Sequence, residues 1–197
     1  MDKPVKALFL TACSGRGGAG RSLFYLLKHL DRGLVDPLVV MPTPGAIGQR
    51  LNDQGIKTIC SRRLRERFPE RRFRGRGPWV MPLSYVRNTW DSIIFVFQLI
   101  AIIRAEAVDV IYCNHMMVKV MGIMAGLMTR RPVVIHCRTI YGGTAERLFF
   151  NSWAALPTVK RIIAVSHSSA DGFRLLAHKV SVVPNGIDPD EHDPQLH

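Results

Sequence analysis

Residues 5–20 read VKALFLTACSGRGGAG, a short apolar run followed by a turn rich in glycine. The apolar run has the length and composition of a buried β-strand. Glycines at such a turn let backbone N–H groups approach a phosphate at the N-terminus of the following helix. The segment therefore predicts a strand, a phosphate-facing loop and a helix, which together are the opening unit of an α/β protein.

The rest of the chain repeats this alternation of short apolar runs and helical patterns. The predicted strands cover residues 5–12, 37–41, 57–60, 108–113, 132–137, 161–166 and 179–184. The predicted helices cover about 21–30, 47–53, 84–105, 116–128 and 144–155, with one more capped by Ser166 or Ser168. Strands that are apolar on both faces and joined by helices are typical of a parallel sheet covered on both sides. We therefore predict an α/β fold: a doubly wound, mostly parallel, Rossmann-like sheet of about seven strands.

The helix predicted at 116–128 is rich in methionine and carries Gly122 and Gly126 four residues apart. Small residues at this spacing allow a helix to lie close against a sheet, and methionine fills irregular gaps in a core. We therefore interpret this helix as part of the core rather than as a cofactor site.

Composition and charge describe an ordinary globular domain with one basic insertion. The chain has 197 residues, of which 47% are hydrophobic and 21% charged, so it is not a disordered polypeptide. The net charge is +12, yet residues 62–76 alone contain eight arginines and two glutamates. This basic tract, residues 62–79, also carries Phe68, Phe73 and Trp79 and lies in a predicted loop at 61–80. Such a patch favours an anionic membrane surface, and no nucleic-acid partner is expected.

Cysteine spacing and hydropathy indicate an intracellular location. The four cysteines show no CxxC spacing and are interpreted as reduced thiols in a core. The apolar run after Pro4 is too short for an export signal. The longest apolar run, residues 93–103, has about half the length that spans a bilayer. We expect a cytoplasmic protein, with a peripheral position at the inner face of the cell membrane as an additional hypothesis.

The glycine loop by itself fits three kinds of phosphate site. A nucleotide-phosphate loop requires a lysine at the position where this chain has Arg21. It also requires an aspartate at the end of a later strand, and none of the later predicted strands ends in aspartate. A dinucleotide site requires an acidic residue at the end of the second strand, which instead ends in residues 40–43, VMPT. The third kind of phosphate site that fits the loop is a nucleotide-sugar site. Two other functions remain as alternatives, namely an NAD(P)-dependent oxidoreductase domain and a basic module that binds membrane or nucleic acid.

Several motifs, taken in order, carry a resemblance to a known family. They are LFLTACSGRGGAGRSLFYLLKHL at 8–30, DVIYCNHMM at 109–117, PVVIHCR at 132–138, IIAVS at 162–166 and VVPNGID at 182–188. This order resembles the N-terminal lobe of family 4 (group 1) glycosyltransferases, which are two-lobed enzymes of the GT-B fold. The resemblance covers about residues 4–188.

The resemblance implies a domain organisation and a reaction. Residues 1–188 would form the Rossmann-like acceptor-side lobe, and residues 189–197 would begin the interdomain linker. The C-terminal donor lobe would then lie outside this sequence, so the isolated lobe is expected to be inactive. The implied reaction moves a sugar from a nucleoside-diphosphate sugar, with retention of configuration, to a saccharide or lipid-linked acceptor in cell-envelope polysaccharide synthesis. No metal or other cofactor is expected.

The resemblance also implies roles for individual residues. His136 would be the catalytic residue near the transferred sugar, while Gly17, Gly18 and Arg16 would contact the donor diphosphate. Glycine is favoured there because a Cβ would block close approach, and a positive φ would be a second reason. The implied acceptor-binding residues are Asn114, His115, Arg138, Tyr141 and Ser166, with Tyr141 in a flexible glycine-containing loop and Ser166 first of all a helix cap. The implied hinge residues are Asn185, Gly186 and Asp188.

Overall fold

A computed structural model of the chain describes residues 3–12, 18–64, 80–115, 118–141 and 143–186, with 80–87 described by their backbone only. Three of the predicted site residues, Arg16, Gly17 and Asp188, lie outside the described residues. So do residues 65–79, which make up most of the basic tract.

Within the residues that the structure describes, seven strands and six α-helices alternate. The strands are β1 Val5–Leu10, β2 Val35–Met41, β3 Lys57–Cys60, β4 Val110–Cys113, β5 Val133–Cys137, β6 Val159–Ala164 and β7 Val180–Val182. The helices are α1 Gly18–Lys28, α2 Gly45–Asp53, α3 Val80–Ala105, α4 Lys119–Thr129, α5 Thr144–Ala155 and α6 His167–Ala170, the last continued by a 3-10 helix, Asp171–Lys179. Each predicted strand and helix is present, with its ends displaced by a few residues.

The seven strands form one parallel sheet in the order β3-β2-β1-β4-β5-β6-β7. The predicted parallel α/β sheet is therefore confirmed. Strand order reverses at β1, which pairs with β2 on one side and β4 on the other, so that Leu8 lies opposite both Leu38 and Ile111. Ligands of such sheets bind in the crevice beyond the carboxyl ends of the strands at this reversal.

Alternate residues of β1 face two separate cores. Leu8 and Leu10 belong to a core with helices α3, α4 and α5, whereas Ala7 and Phe9 belong to a core with α1 and α2. This division follows from the two-residue period of a strand and from the reversal of strand order. Helices therefore cover both faces of the sheet, as predicted for a doubly wound fold.

Helix α4 lies very close to the sheet because of its two glycines. A Cβ atom at Gly122 would overlap the Sγ of Cys113 on β4, and one at Gly126 would overlap Cγ2 of Val133 on β5. The predicted role of these glycines in close packing is confirmed. The contact holds the first residue of α4 near the ends of β4 and β5.

Helix α3 is buried on one side only. Phe95, Leu99 and Ile103 are buried in the core, whereas Trp90 and Phe97 are 63% and 59% exposed. By length and composition its segment Asn88–Ala105 is apolar enough to cross a membrane, contrary to the expectation from the sequence. A core helix passes the same test, so this property alone does not indicate a membrane span.

We expect Gly122→Ala to lower the free energy of unfolding by about 1–3 kcal/mol, because the added methyl group overlaps a buried sulfur atom in a packed core. Urea unfolding followed by circular dichroism measures this change. Gly18→Ala is the matched control, since a Cβ there meets nothing within 4 Å. Equal stability of the two variants would contradict the close packing of α4.

Candidate functional site

A cavity of about 350 Å³ opens beyond the carboxyl ends of β1, β4 and β5, where the strand order reverses. We call it the switch-point cavity. Its lining includes Gly18, Ala19, Asn114, His115, Lys119, His136, Arg138, Thr139 and Asn185. Six residues that the sequence singled out, namely Gly18, Asn114, His115, His136, Arg138 and Asn185, are thus brought together at one place.

Asn114 follows β4 directly and is 1% exposed. Its Nδ2 donates to the carbonyl of Ala19 in α1 at 3.2 Å, and its Oδ1 accepts from Nη2 of Arg138 at 3.0 Å. Both ends of the amide are therefore occupied within the protein. Asn114 thus fixes the position of α1 and of Arg138, and its predicted contact with the acceptor stays a prediction.

Asn185 lies in the site, although the sequence placed it at a hinge. Its Oδ1 accepts from Nη1 of Arg138 at 2.9 Å and from Oγ of Ser22 at 3.0 Å. These two bonds connect the segment after β7 with the end of β5 and with α1. Gly186, the next predicted hinge residue, is exposed, and a Cβ there would meet nothing within 4 Å.

His136 is the buried polar residue at the centre of this network, with 7% of its surface exposed. Its Nδ1 contacts the hydroxyl of Tyr112 at 2.5 Å and Nη2 of Arg138 at 3.2 Å. A guanidinium can only donate, so Nδ1 accepts and the proton of the neutral ring lies on Nε2. This Nε2 is buried and has no hydrogen-bond partner among the described residues. It is therefore a buried donor without an acceptor among the described residues.

The surroundings keep His136 uncharged. Burial, with the positive charges of Arg138 and Lys119, lowers the pKa of His136 to about 3. Burial raises the pKa of Tyr112 to about 12, so its hydroxyl keeps the proton that it donates to His136. At neutral pH His136 therefore offers a hydrogen-bond donor and does not act as a cationic acid.

Lys119 is a site residue that the sequence analysis missed. It begins α4, is 2% exposed, and donates from Nζ to the hydroxyl of Tyr141 at 2.8 Å. Burial lowers the pKa of this lysine. A signal was present, because Lys119 is the only charged residue in the apolar segment 116–128.

The side chain of Tyr141 is buried in the core, which the sequence did not predict, and its predicted contact with an acceptor stays a prediction. It is 1% exposed and stacks on Phe150 with ring centroids 4.9 Å apart. Phe173 meets the ring edge-on at 5.4 Å. A Cβ at Gly172 would lie 2.7 Å from the Tyr141 ring, which shows how closely the ring is enclosed. Only its hydroxyl, bonded to Lys119, connects it with the cavity.

Ser166 caps α6, as the sequence predicted. Its Oγ accepts from the backbone N–H of Ser169 at 3.2 Å, and Ser169 returns a side-chain bond to the Ser166 backbone. Ser166 is exposed and is not among the described residues that line the switch-point cavity. Its proposed contact with the acceptor stays a prediction.

Gly18 is the first residue of α1 and lines the cavity. It does not have a positive φ, so that reason for glycine is wrong at this position. The open space around it, where a Cβ would meet no protein atom within 4 Å, agrees with a close approach by a ligand.

A second cavity of about 410 Å³ adjoins the first and shares His136, Arg138 and Asn185 with it. Leu26 and Pro184 contribute to its more apolar lining. Within the described parts of the chain, no three His, Cys, Asp or Glu side chains lie close enough together to hold a metal ion. The expectation that no metal takes part stays a prediction.

Comparison with known proteins identifies the family. The sequence profile of Glycosyltransferase Family 4 matches residues 16–191, which is most of the chain. This chain belongs to Glycosyltransferase Family 4. The family match removes the need for the nucleotide-phosphate and dinucleotide interpretations of the glycine loop.

Solved structures confirm the GT-B fold of the domain. HepE of Anabaena, in complex with UDP and glucose, is 24% identical with a TM-score of 0.66, over 94% of this chain and 46% of its own. A glycosyltransferase of Rickettsia africae is 16% identical with a TM-score of 0.68, over 98% and 46%. MurG of Acinetobacter baumannii is 16% identical with a TM-score of 0.61, over 94% and 47%. The chain thus spans a little under half the length of each protein. No curated protein sequence matches it significantly.

We expect the free energy of unfolding to fall as the pH decreases from 6.5 towards 3, by up to about 1.4 kcal/mol per pH unit from His136 alone. The unfolded chain takes up a proton in this window, whereas the folded chain, with the lowered pKa, does not. Urea unfolding gives the free energy of unfolding at pH 7.5 and at pH 5. The decrease between these two pH values should be about 2 kcal/mol larger in the wild type than in His136→Gln. A ring that titrates near pH 6.5 in ¹⁵N NMR spectra would contradict this assignment.

Proposed function

We propose that this family 4 domain, residues 1–188, is the acceptor-side lobe of a retaining glycosyltransferase. The observation that carries the proposal is the switch-point cavity, in which a helix N-terminus, a neutral histidine donor and an arginine meet. The residues described at its lining include Lys119 and Arg138 but no carboxylate. Such a site suits an anionic, oxygen-rich ligand, and a nucleoside-diphosphate sugar has this chemistry.

On the donor side, the N-terminus of α1 would face the diphosphate. Gly18 and Ala19 lie at the cavity, and backbone N–H groups at a helix N-terminus bind phosphate oxygens and favour negative charge. Arg16 and Gly17, predicted to assist, precede this helix in the sequence. The complexes of HepE with UDP and with UDP-glucose support a nucleotide-sugar donor for the whole protein. A second lobe would supply the remaining contacts to the nucleotide.

In the chemical step, the bond from the anomeric carbon to the diphosphate oxygen breaks, and the nucleoside diphosphate leaves with the electron pair. The acceptor hydroxyl oxygen bonds to the same face of that carbon, and its proton passes to the departing phosphate oxygen. His136 would donate from Nε2 to a hydroxyl of the transferred sugar and hold it in place. Arg138 would stabilise the negative charge that develops on the leaving group. No metal or cofactor is needed for these roles.

On the acceptor side, the two adjoining cavities suggest a substrate with a polar and an apolar part. His115 and Arg138 line the polar cavity, while Leu26 and Pro184 line the apolar one. A saccharide attached to a lipid or to another apolar group has this character. This supports a saccharide or lipid-linked acceptor, and a role in cell-envelope polysaccharide synthesis would follow from it.

We expect His136→Phe to reduce kcat/KM for sugar transfer by about 10–100-fold, because the buried donor to the substrate is lost. Release of nucleoside diphosphate by the complete gene product, assayed with UDP-glucose and GDP-mannose, measures this loss. Ser168→Ala, at an exposed position in α6, is the control and should keep full activity. ¹H NMR of the fresh product should show the anomeric configuration of the donor. Inversion would contradict the retaining mechanism.

Binding to this chain separates the proposed function from an oxidoreductase domain. UDP-glucose or GDP-mannose should raise the melting temperature more than NADH does. Stronger stabilisation by NADH, together with a hydride-transfer activity of the complete gene product, would favour the oxidoreductase.

We also propose that the domain docks on an anionic membrane through the basic tract and the exposed side of α3. Arg63 forms an ion pair with Asp91 of α3 at 3.0 Å, and Ser61 donates to Gln98 of the same helix at 3.0 Å. These contacts hold the start of the basic loop beside the exposed Trp90 and Phe97. Arginines beside exposed aromatic residues favour an anionic lipid interface. A cytoplasmic protein at the inner face of the membrane would be the result.

We expect the combined change of Arg62, Arg63, Arg65 and Arg67 to Ser to weaken binding to vesicles by at least about tenfold, since each basic residue near the surface contributes about 1 kcal/mol. Co-sedimentation with vesicles of 30% phosphatidylglycerol in phosphatidylcholine measures the binding. The control changes four basic residues elsewhere to Ser, namely Arg130, Lys160, Arg161 and Arg174. Equal loss in both variants would show a general charge effect and exclude a specific docking surface.

A further inference from the structure

We propose that Lys119 forms a second anion-binding site in the switch-point cavity, which holds a phosphate or carboxylate group of a substrate. The inference rests on the proposed function, since it concerns the substrate that the cavity receives. It assigns to Lys119 a role that neither the sequence motifs nor the α1 N-terminus supplies. The evidence is the placement of this one charge.

The ammonium group of Lys119 is buried, and no described residue supplies a matching negative charge. The residue is 2% exposed and lines the cavity, and no carboxylate lies within ion-pair distance of it among the described residues. A buried charge is costly unless it is paired. An ammonium kept in this position without a carboxylate beside it among the described residues is consistent with a negative charge that a substrate provides.

The position in the helix adds to the cost. Lys119 is the first residue of α4, and the first turn of this helix contains no acidic residue. The N-terminus of a helix carries a partial positive charge, which disfavours a cation and favours an anion. The ammonium and the helix end therefore create a positive potential at the same place, which an anionic group would neutralise.

The described surroundings hold the ammonium in place through one hydrogen bond and occupy none of its other donors. Nζ donates to the hydroxyl of Tyr141 at 2.8 Å and lies 5.4 Å from the centre of that ring and 5.8 Å from that of Phe150. An ammonium has three N–H donors, of which this arrangement uses one. The buried Nε2 of His136, also without a partner among the described residues, lines the same cavity. Two elements of the cavity thus present unused donors to one ligand.

The titratable groups around Lys119 do not replace a counter-ion. Burial is the main cause that lowers its pKa, and the thiols of Cys113 and Cys137 and the carboxylate of Glu146 oppose this effect. Burial raises the pKa of the Cys113 thiol to about 12, so it is neutral at pH 7. Arg138 and the neutral His136 line the same cavity. An anion bound at Nζ would raise the pKa of Lys119 again.

The test uses this chain labelled with ¹³C at lysine Cε, titrated at pH 7 with inorganic phosphate, glucuronate and UDP. We expect at least one of these anions to shift the Lys119 resonance, and Lys119→Met to weaken its binding at least about tenfold, which is typical for the loss of a charge-assisted hydrogen bond. Lys160→Met, which removes an exposed lysine on β6, should leave the affinity unchanged. Unchanged binding by Lys119→Met, or no shift with any of the three anions, would overturn the proposal.

Stability and pH distinguish this role from a structural one. Methionine has a similar length and no charge, so Lys119→Met should keep or raise the melting temperature while anion binding is lost. The affinity of the wild type for the anion should fall as the pH rises through the lowered pKa of Lys119, because the ammonium loses its charge. The affinity of Lys119→Arg for the same anion should stay constant over that pH range. A destabilised variant that still binds the anion would mean a purely structural lysine.

Competition identifies the source of the anion. If UDP displaces phosphate or glucuronate from Lys119, the site receives the donor diphosphate, and if both bind together it receives an acceptor group. The outcome is independent of the transfer assay. Sugar transfer without anion binding at Lys119 would refute this inference alone, whereas anion binding at Lys119 without any transfer would refute the proposed function alone.

Discussion

The reversal of strand order at β1 is the constraint on which the rest of the structure depends. Because β1 pairs with β2 on one side and with β4 on the other, the following connections leave towards opposite faces of the sheet. The chain segments after β1 and β4 therefore diverge and leave a crevice between them. Polar residues at the ends of β4 and β5 then point to the same space as the start of α1. The pairing of the strands in the sheet, more than any loop, determines where the site lies.

A single hydrogen-bond network joins the parts that meet there. Arg138 donates to Asn114, His136 and Asn185, and Asn114 donates in turn to the Ala19 carbonyl. The network connects α1, β4, β5 and the segment after β7. A connected hydrogen-bond network of this kind holds its members in one geometry before a ligand arrives. It also sets the tautomer of His136, with the ring proton on Nε2.

The positive charges in the cavity lower the stability of the fold and favour the binding of an anion. Lys119 and Arg138 bring positive charge to the switch-point cavity, and the lining residues that the structure describes include no carboxylate. In low dielectric such charges are unfavourable alone but act strongly on an anion, because no water has to reorganise. Burial, together with these two positive charges, lowers the pKa of His136 and keeps it neutral. Sites that locally weaken a fold in this way are typical of functional residues.

The sequence by itself determined the fold class, the seven strands, nearly all helix positions, the cap at Ser166 and the close packing at Gly122, because all of these depend on local spacing and residue size. Only the tertiary structure decided the order of the strands, the burial of Lys119, the place of Tyr141 in the core, the role of Asn185 in the site and the exposed side of α3. The physical reason is distance along the chain: Asn185 bonds to Ser22 across 163 residues and to Arg138 across 47. Local patterns hold no information about such partners, since the partners are chosen when the sheet assembles.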